Sequence, residues 1–228
     1  MQNDIAQFIQ ITLDLSQQRL GDEYYYPSIS QCVVDAIFSI GVRYVSTRAT
    51  VKRFSSYFSI PLLRDTTDLP EHDPFPISSL LAEYEKFGAD YFAKSIFVNR
   101  QRTSAKNGIL KAEAVRDYSA VLARHGLESI ADVESVIGDK SFEAEVRNIK
   151  GQGSGISTDY FYMLSGSDNH IKADRRIISF VGRAHGCSIG ATEARALLLE
   201  GFNELKEQYP HLTLRLLDYL IWSYEKEK

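Results

Sequence analysis

Hydrophobic residues recur at helical spacing along almost the whole chain, and no stretch keeps the period of two that a half-buried strand needs. This pattern confines the fold to helix packed on helix. Ile5, Phe8, Ile9, Leu13 and Leu15 mark a first amphipathic helix, which the acidic and aromatic stretch GDEYYYPS ends. Ser28 or Ser30 caps a second helix carrying Val33, Val34, Ile37 and Phe38. Gly41 punctuates, and VSTRATVKRFSSYF reads as a third. Residues 63–76, polar and proline-bearing, read as an irregular loop and a candidate surface insertion. Helices follow at ISSLLAEYEKF, ADYFAKSIFV and KAEAVRDYSAVLARHG, the last closed by Gly126. Further helical segments are expected near 128–137, 141–148, 154–165, 173–184, 191–207 and 212–226.

A chain of 228 residues, 44% hydrophobic and 25% charged, can bury a core without disulfide or metal staples. Its two cysteines, Cys32 and Cys187, form no Cys-x-x-Cys pair, which leaves zinc ribbons and iron–sulfur clusters without a ligand set. Few cysteines, and an N-terminus (MQNDIAQFIQ) lacking early cations, lead us to expect a reduced cytoplasmic protein, nucleoid-associated if bacterial. The apolar runs fall short of the roughly 18 residues of a membrane span, so no membrane partner is expected. The net charge of −4 argues against a general nucleic-acid coat, while leaving room for a local basic face.

The chemistry concentrates in SFEAEVRNIKGQGSGISTDYFYMLS, residues 141–165. Here a short helix leads into Ile149-Lys150-Gly151-Gln152-Gly153, and a second helix follows. Two glycines one residue apart permit a tight hairpin. If the second helix starts at Gly153, its unpaired N–H groups face outward beside the Lys150 ammonium, a suitable seat for a phosphate oxygen. A plain glycine turn between core helices is the rival reading of the hairpin alone. Asp174 follows Gly151 by 23 positions and begins the helix RRIISFV.

The hairpin and the spaced aspartate together resemble the helix-hairpin-helix DNA glycosylase superfamily, which includes endonuclease III and the 3-methyladenine and 8-oxoguanine glycosylases. The similarity extends to Gly108-Ile109-Leu110-Lys111-Ala112-Glu113 and to VVDAIFSIGVRYVSTRATVKRF, so that it runs from about residue 28 to 184. The resemblance implies an all-α, two-lobed fold with a cleft between the lobes. One lobe would be a helical barrel, 28–167, including the hairpin element 141–165; the other would combine 1–27 with 168–228. It implies excision of a damaged or modified base from double-stranded DNA, with Asp174 as catalytic carboxylate. Lys150, Gly151, Gln152, Gly153, Ser154, Gly155, Lys172, Arg175 and Arg176 would contact DNA. A monovalent cation, Na+ or K+, would sit on the carbonyls of Arg147, Ile149 and Gln152, and no other cofactor is required. Lyase members carry a lysine two positions past the second hairpin glycine. Gly155 stands there, which favours a monofunctional, water-using enzyme. The alternative is a non-catalytic helix-hairpin-helix DNA-binding protein, and a monomer is expected in either case.

Cleaving an N-glycosidic bond builds positive charge on the sugar, and a carboxylate near C1′ stabilises it and orients water. Asp is also a favoured helix N-cap, and Asp174 suits both roles. A base must leave the stack to be reached, so a pocket and a wedge are expected. Arg43, Tyr44 and the Tyr24–Tyr26 run are candidates, with core packing as the rival reading of each. Lys94, Arg100, Arg102, Lys106 and Lys111 form an acid-free run that suits a phosphate-facing surface, or a solvated helix face. The five histidines show no metal-ligand spacing.

Overall fold

The computed structural model describes residues 5–226, and these residues are all-helical. Ten α-helices are present among them, with one isolated antiparallel bridge, Arg102 to Leu110, and no strand. The chain forms two compact units, Asp22–Gly166 and a second built from the described parts of Met1–Gly21 and Ser167–Lys228.

The larger unit is organised around α2 (Ile29–Phe38), all ten residues of which are buried. Around it stand α3 (Tyr44–Tyr57), α4 (Ile77–Tyr91), α5 (Lys111–Arg124) and α7 (Ile156–Leu164), and α6 (Lys140–Asn148) packs on α5. A helix buried on all sides has no water for its end groups, so protein must supply their partners. At the N-terminus Ser28 closes a capping box with Gln31. There the Asp73 carboxylate also accepts from the Ile29 N–H at 2.7 Å, and Ser28 and Ser30 hydroxyls both donate to the Phe75 carbonyl. Burial raises the Asp73 carboxyl above its ordinary range, and the N–H bonds it accepts oppose that shift.

At the C-terminus of α2 the ammonium of Lys111 donates to the carbonyls of Phe38, at 2.9 Å, and Ile40, at 2.7 Å. Lys111 is only 2% exposed. A cation in the first turn of its own helix α5 opposes that helix's dipole; the end of α2 supplies the compensating negative pole. Two of the sequence readings change here. Lys111 does not belong to a surface basic run, and residues 63–76 are not simply an insertion. Asp73 and Phe75 cap the central helix, and the Phe75 ring packs on Phe54 and Phe58.

The smaller unit packs α1 (Ile5–Thr12) with α8 (Arg175–His185), α9 (Ala191–Leu205) and α10 (Leu214–Lys226). Its core includes Ile9, Phe180, Leu198 and Leu217, with Phe8 edge-on to Phe180. No helix among the described residues is long and apolar enough to cross a membrane.

Replacing Lys111 with Met removes two charge-assisted bonds and strands one buried and one partly buried carbonyl. Urea unfolding at neutral pH should show a loss of about 2–4 kcal/mol; a loss within about 0.5 kcal/mol would show that the ammonium does not hold the end of α2.

Candidate functional site

The hairpin lies between α6 and α7, in the larger unit. Asp139 caps α6 by accepting from the N–H groups of Ser141 and Phe142, and α6 ends at Asn148. The Gln152 N–H donates to the Ile149 carbonyl at 2.9 Å, and the Gly155 N–H to the Gln152 carbonyl at 3.1 Å. Gly151 has φ +93 and Gly155 φ +76, both left-handed and suited to glycine. A Cβ on Gly151 would stand 2.4 Å from the Thr103 Cβ, so the hairpin backbone lies directly against the loop ahead of α5.

Helix α7 begins at Ile156 with Gly155 as its cap, three residues later than Gly153. Gly153 and Ser154 instead form an exposed turn, because the two left-handed glycines keep the chain out of helical geometry until Ile156. The expected exposed edge also narrows. Lys150, Gly151, Gly153 and Ser154 are exposed, whereas Gln152 is 2% exposed and Gly155 is buried. The guanidinium of Arg147 covers Gly155; its Nη2 would come within 2.8 Å of a Cβ there. Arg147, named from sequence only for its carbonyl, thus brings a second exposed cation beside Lys150.

Residues 97–103 run along α3 and end at the hairpin. Arg53 Nε donates to the Phe97 carbonyl at 2.6 Å, Asn99 Nδ2 to Thr50 Oγ1 at 3.0 Å, and Gln101 Nε2 to Ser46 Oγ at 3.3 Å. Thr103 then meets Gly151. Of the cations in the run, Lys94, Arg100, Arg102 and Lys106 are exposed. Arg100 is paired with Asp90 at 2.8 Å, and Arg102 Nε donates to the Gly108 carbonyl at 2.9 Å.

Asp174 lies in the smaller unit as the N-cap of α8. Its Oδ1 accepts from the Arg176 N–H at 2.8 Å, and its own N–H donates to the Lys172 carbonyl at 2.6 Å. Among the described residues Oδ2 has no hydrogen-bond partner, so the carboxylate is both fixed and half available. Arg175 is exposed. The Lys172 N–H donates to Asp218 at 2.9 Å. Arg176 is committed to α10: it lies 4.9 Å over the Trp222 ring and donates to the Trp222 carbonyl.

Two of the tyrosines singled out from sequence, Tyr26 and Tyr44, meet at a residue without a sequence signature. Asp35 of α2 is fully buried, and its Oδ2 accepts from the Tyr26 hydroxyl at 2.7 Å and the Tyr44 hydroxyl at 3.1 Å. Burial, then the Asp35 charge, pushes the Tyr26, Tyr44 and Tyr160 phenols well above their ordinary range. Tyr24 and Tyr26 are buried, as the packing reading has it, while Tyr25 is half-buried and Arg43 exposed. Nearby, burial raises the Glu23 carboxyl to about 7; repulsion from Asp35 and Asp22 adds to this, and its own backbone N–H and Arg48 oppose it. Arg48 bridges to Asp22 at 3.0 Å. Glu23 and Asp35 carry no motif, and only the burial produced by the fold makes them chemically unusual.

Among the described residues no group of His, Cys, Asp and Glu is placed to hold a metal ion. Residues 4–226 match the family described as a domain of unknown function, DUF8548, and the chain belongs to that family. Among curated proteins and solved structures, no match is found.

Glu23 gives a pH dependence of definite sign. Its folded pKa lies above the unfolded value, so between about 4.5 and 7 the folded state binds more protons and stability falls as pH rises. In Glu23→Gln that slope should flatten, leaving the variant about 1–3 kcal/mol more stable relative to wild type at pH 8 than at pH 5. Urea unfolding across that range checks it, and parallel pH profiles would contradict the assignment.

Proposed function

We propose that the chain is a monofunctional DNA glycosylase of helix-hairpin-helix type, acting on a damaged or modified base in duplex DNA. The observation that carries this reading is the hairpin. Lys150, Gly151, Gly153 and Ser154 form an exposed turn, the Arg147 guanidinium lies beside it, and it is braced by a loop that presents Arg102 and Lys106. A turn rich in backbone and hydroxyl donors beside two cations suits phosphate, and such contacts set register without reading sequence. The carbonyls of Ile149 and Gln152 each accept one N–H and retain a second lone pair. With the Arg147 carbonyl they would hold a monovalent cation that bridges protein and phosphate.

Asp174 supplies the chemistry. Its cap bond fixes the carboxylate, and Oδ2 stays available for a water or for the developing sugar cation. The water oxygen bonds to C1′, the N-glycosidic bond breaks with its electron pair leaving on the base, and the water's proton passes to Asp174. Gly155 stands where a lyase would place its amine, under the Arg147 guanidinium, so no Schiff base forms there.

Base release from duplexes carrying alkylated, oxidised, deaminated or methylated bases tests this. Wild type should give alkali-dependent strand breaks on one class, and Asp174→Asn should lower the rate at least about 100-fold. Breaks without alkali would show an amine at work and overturn the monofunctional reading. Duplex binding with no release from any substrate would favour a binding module.

A further inference from the structure

Away from the hairpin, α3 and the turn after α4 enclose an open groove of about 510 Å³. Small-molecule sites commonly measure about 300–1,000 Å³. Three features distinguish this groove from ordinary surface. One side is the end of a π-helical turn, Phe92–Ile96, whose Ser95 and Ile96 line the groove; this rare form gathers at functional sites. The turn closes through the Phe97 N–H to the Phe92 carbonyl at 2.8 Å. Next comes Val98, with φ +47 and 60% exposed. A β-branched residue in the left-handed region is strained, and this one buries too little to repay the strain through packing.

The lining has one sign of charge. Lys52 and Arg53 contribute two cations, and among the described residues no carboxylate lines the groove. Arg53 Nε is tied to the Phe97 carbonyl at 2.6 Å, which aims the guanidinium fork rather than leaving it to wander. Ser56 and Ser95 add hydroxyls. Val98 and the ring of Tyr57, both exposed, supply apolar surface with Ala49, backed by the buried Ile96. Cations and hydroxyls together with exposed apolar side chains in one groove describe a receptor for an amphiphilic anion.

We propose that this groove binds a small organic oxyanion, a phosphate monoester or carboxylate head on an aromatic or aliphatic body. The Arg53 fork and the Lys52 ammonium take the head, and the exposed side chains of Val98 and Tyr57 take the body. The strained backbone at Val98 holds its part of that surface in place before the ligand arrives, so binding does not have to order it. The proposal stands apart from the glycosylase reading and survives its failure.

The test is an NMR titration of the isotope-labelled full chain with phenyl phosphate, benzoate, inorganic phosphate and benzyl alcohol. Phenyl phosphate or benzoate should bind saturably, with a Kd of about 1 mM or tighter. The shifted amides should lie in 49–57 and 95–98, and the tighter of the two probes identifies the head group. Inorganic phosphate and benzyl alcohol should each bind at least about 10-fold more weakly, because each offers half of the chemistry. Lys52→Ala and Arg53→Lys should each weaken the preferred probe at least about 5-fold, the second by losing the fork while keeping the charge. Lys52 is exposed, so its variant tests binding without threatening the fold. No saturable binding, equal binding of inorganic phosphate, or unchanged affinity in Lys52→Ala would overturn the proposal. Displacement of the probe by a short DNA duplex would assign the groove to a nucleic-acid surface instead, and would equally overturn it.

Discussion

A helix buried along its whole length must have both ends satisfied by protein, and the larger unit is arranged to meet that demand on α2. Asp73 and the Phe75 carbonyl close its N-terminal end; the Lys111 ammonium closes its C-terminal end. The charges have the signs that the helix dipole asks for, a carboxylate where N–H groups are unpaired and a cation where carbonyls are. Each comes from a segment distant in sequence. Closing α2 therefore also fixes the loop before α4 and the start of α5, and the α2 end groups organise much of the unit.

The candidate sites inherit this order. The start of α5 is held by Lys111, and the loop ahead of it, through Thr103, backs the hairpin at Gly151. The same stretch is fastened to α3 at Thr50, Ser46 and Arg53. Rigid support of this kind keeps an exposed turn in shape before any ligand arrives. On another flank of α2, Asp35 collects the Tyr26 and Tyr44 hydroxyls, and Glu23 lies close enough to feel its charge.

The helical architecture was legible because periodicity is a local property: α5, α8 and α10 lie close to where their apolar spacing predicts. The hairpin was legible as a turn, but its second helix begins at Ile156 rather than Gly153. Which of three nearby glycines adopts a left-handed conformation depends on Thr103 and Arg147, and spacing does not encode those contacts. Lys111 read as one cation in a basic run, and nothing local announced that its ammonium would be buried at the end of another helix. Residues 63–76 read as a surface loop from their polarity, yet Asp73 uses that polarity to cap a buried helix. Asp35, a lone acid in an apolar helix, and Glu23, one of two adjacent acids in a polar stretch, have no signature until the residues that bury them are known.

The central functional claim is that the exposed turn at 150–154 holds a DNA phosphate backbone. The most direct measurement is the salt dependence of duplex affinity, for wild type and Lys150→Ala. If the turn holds phosphate, wild type binds with a logarithmic slope of several units, and Lys150→Ala binds more weakly with a slope reduced by about 0.9, one phosphate contact. No duplex binding at low salt, or an identical slope in the variant, would contradict the claim.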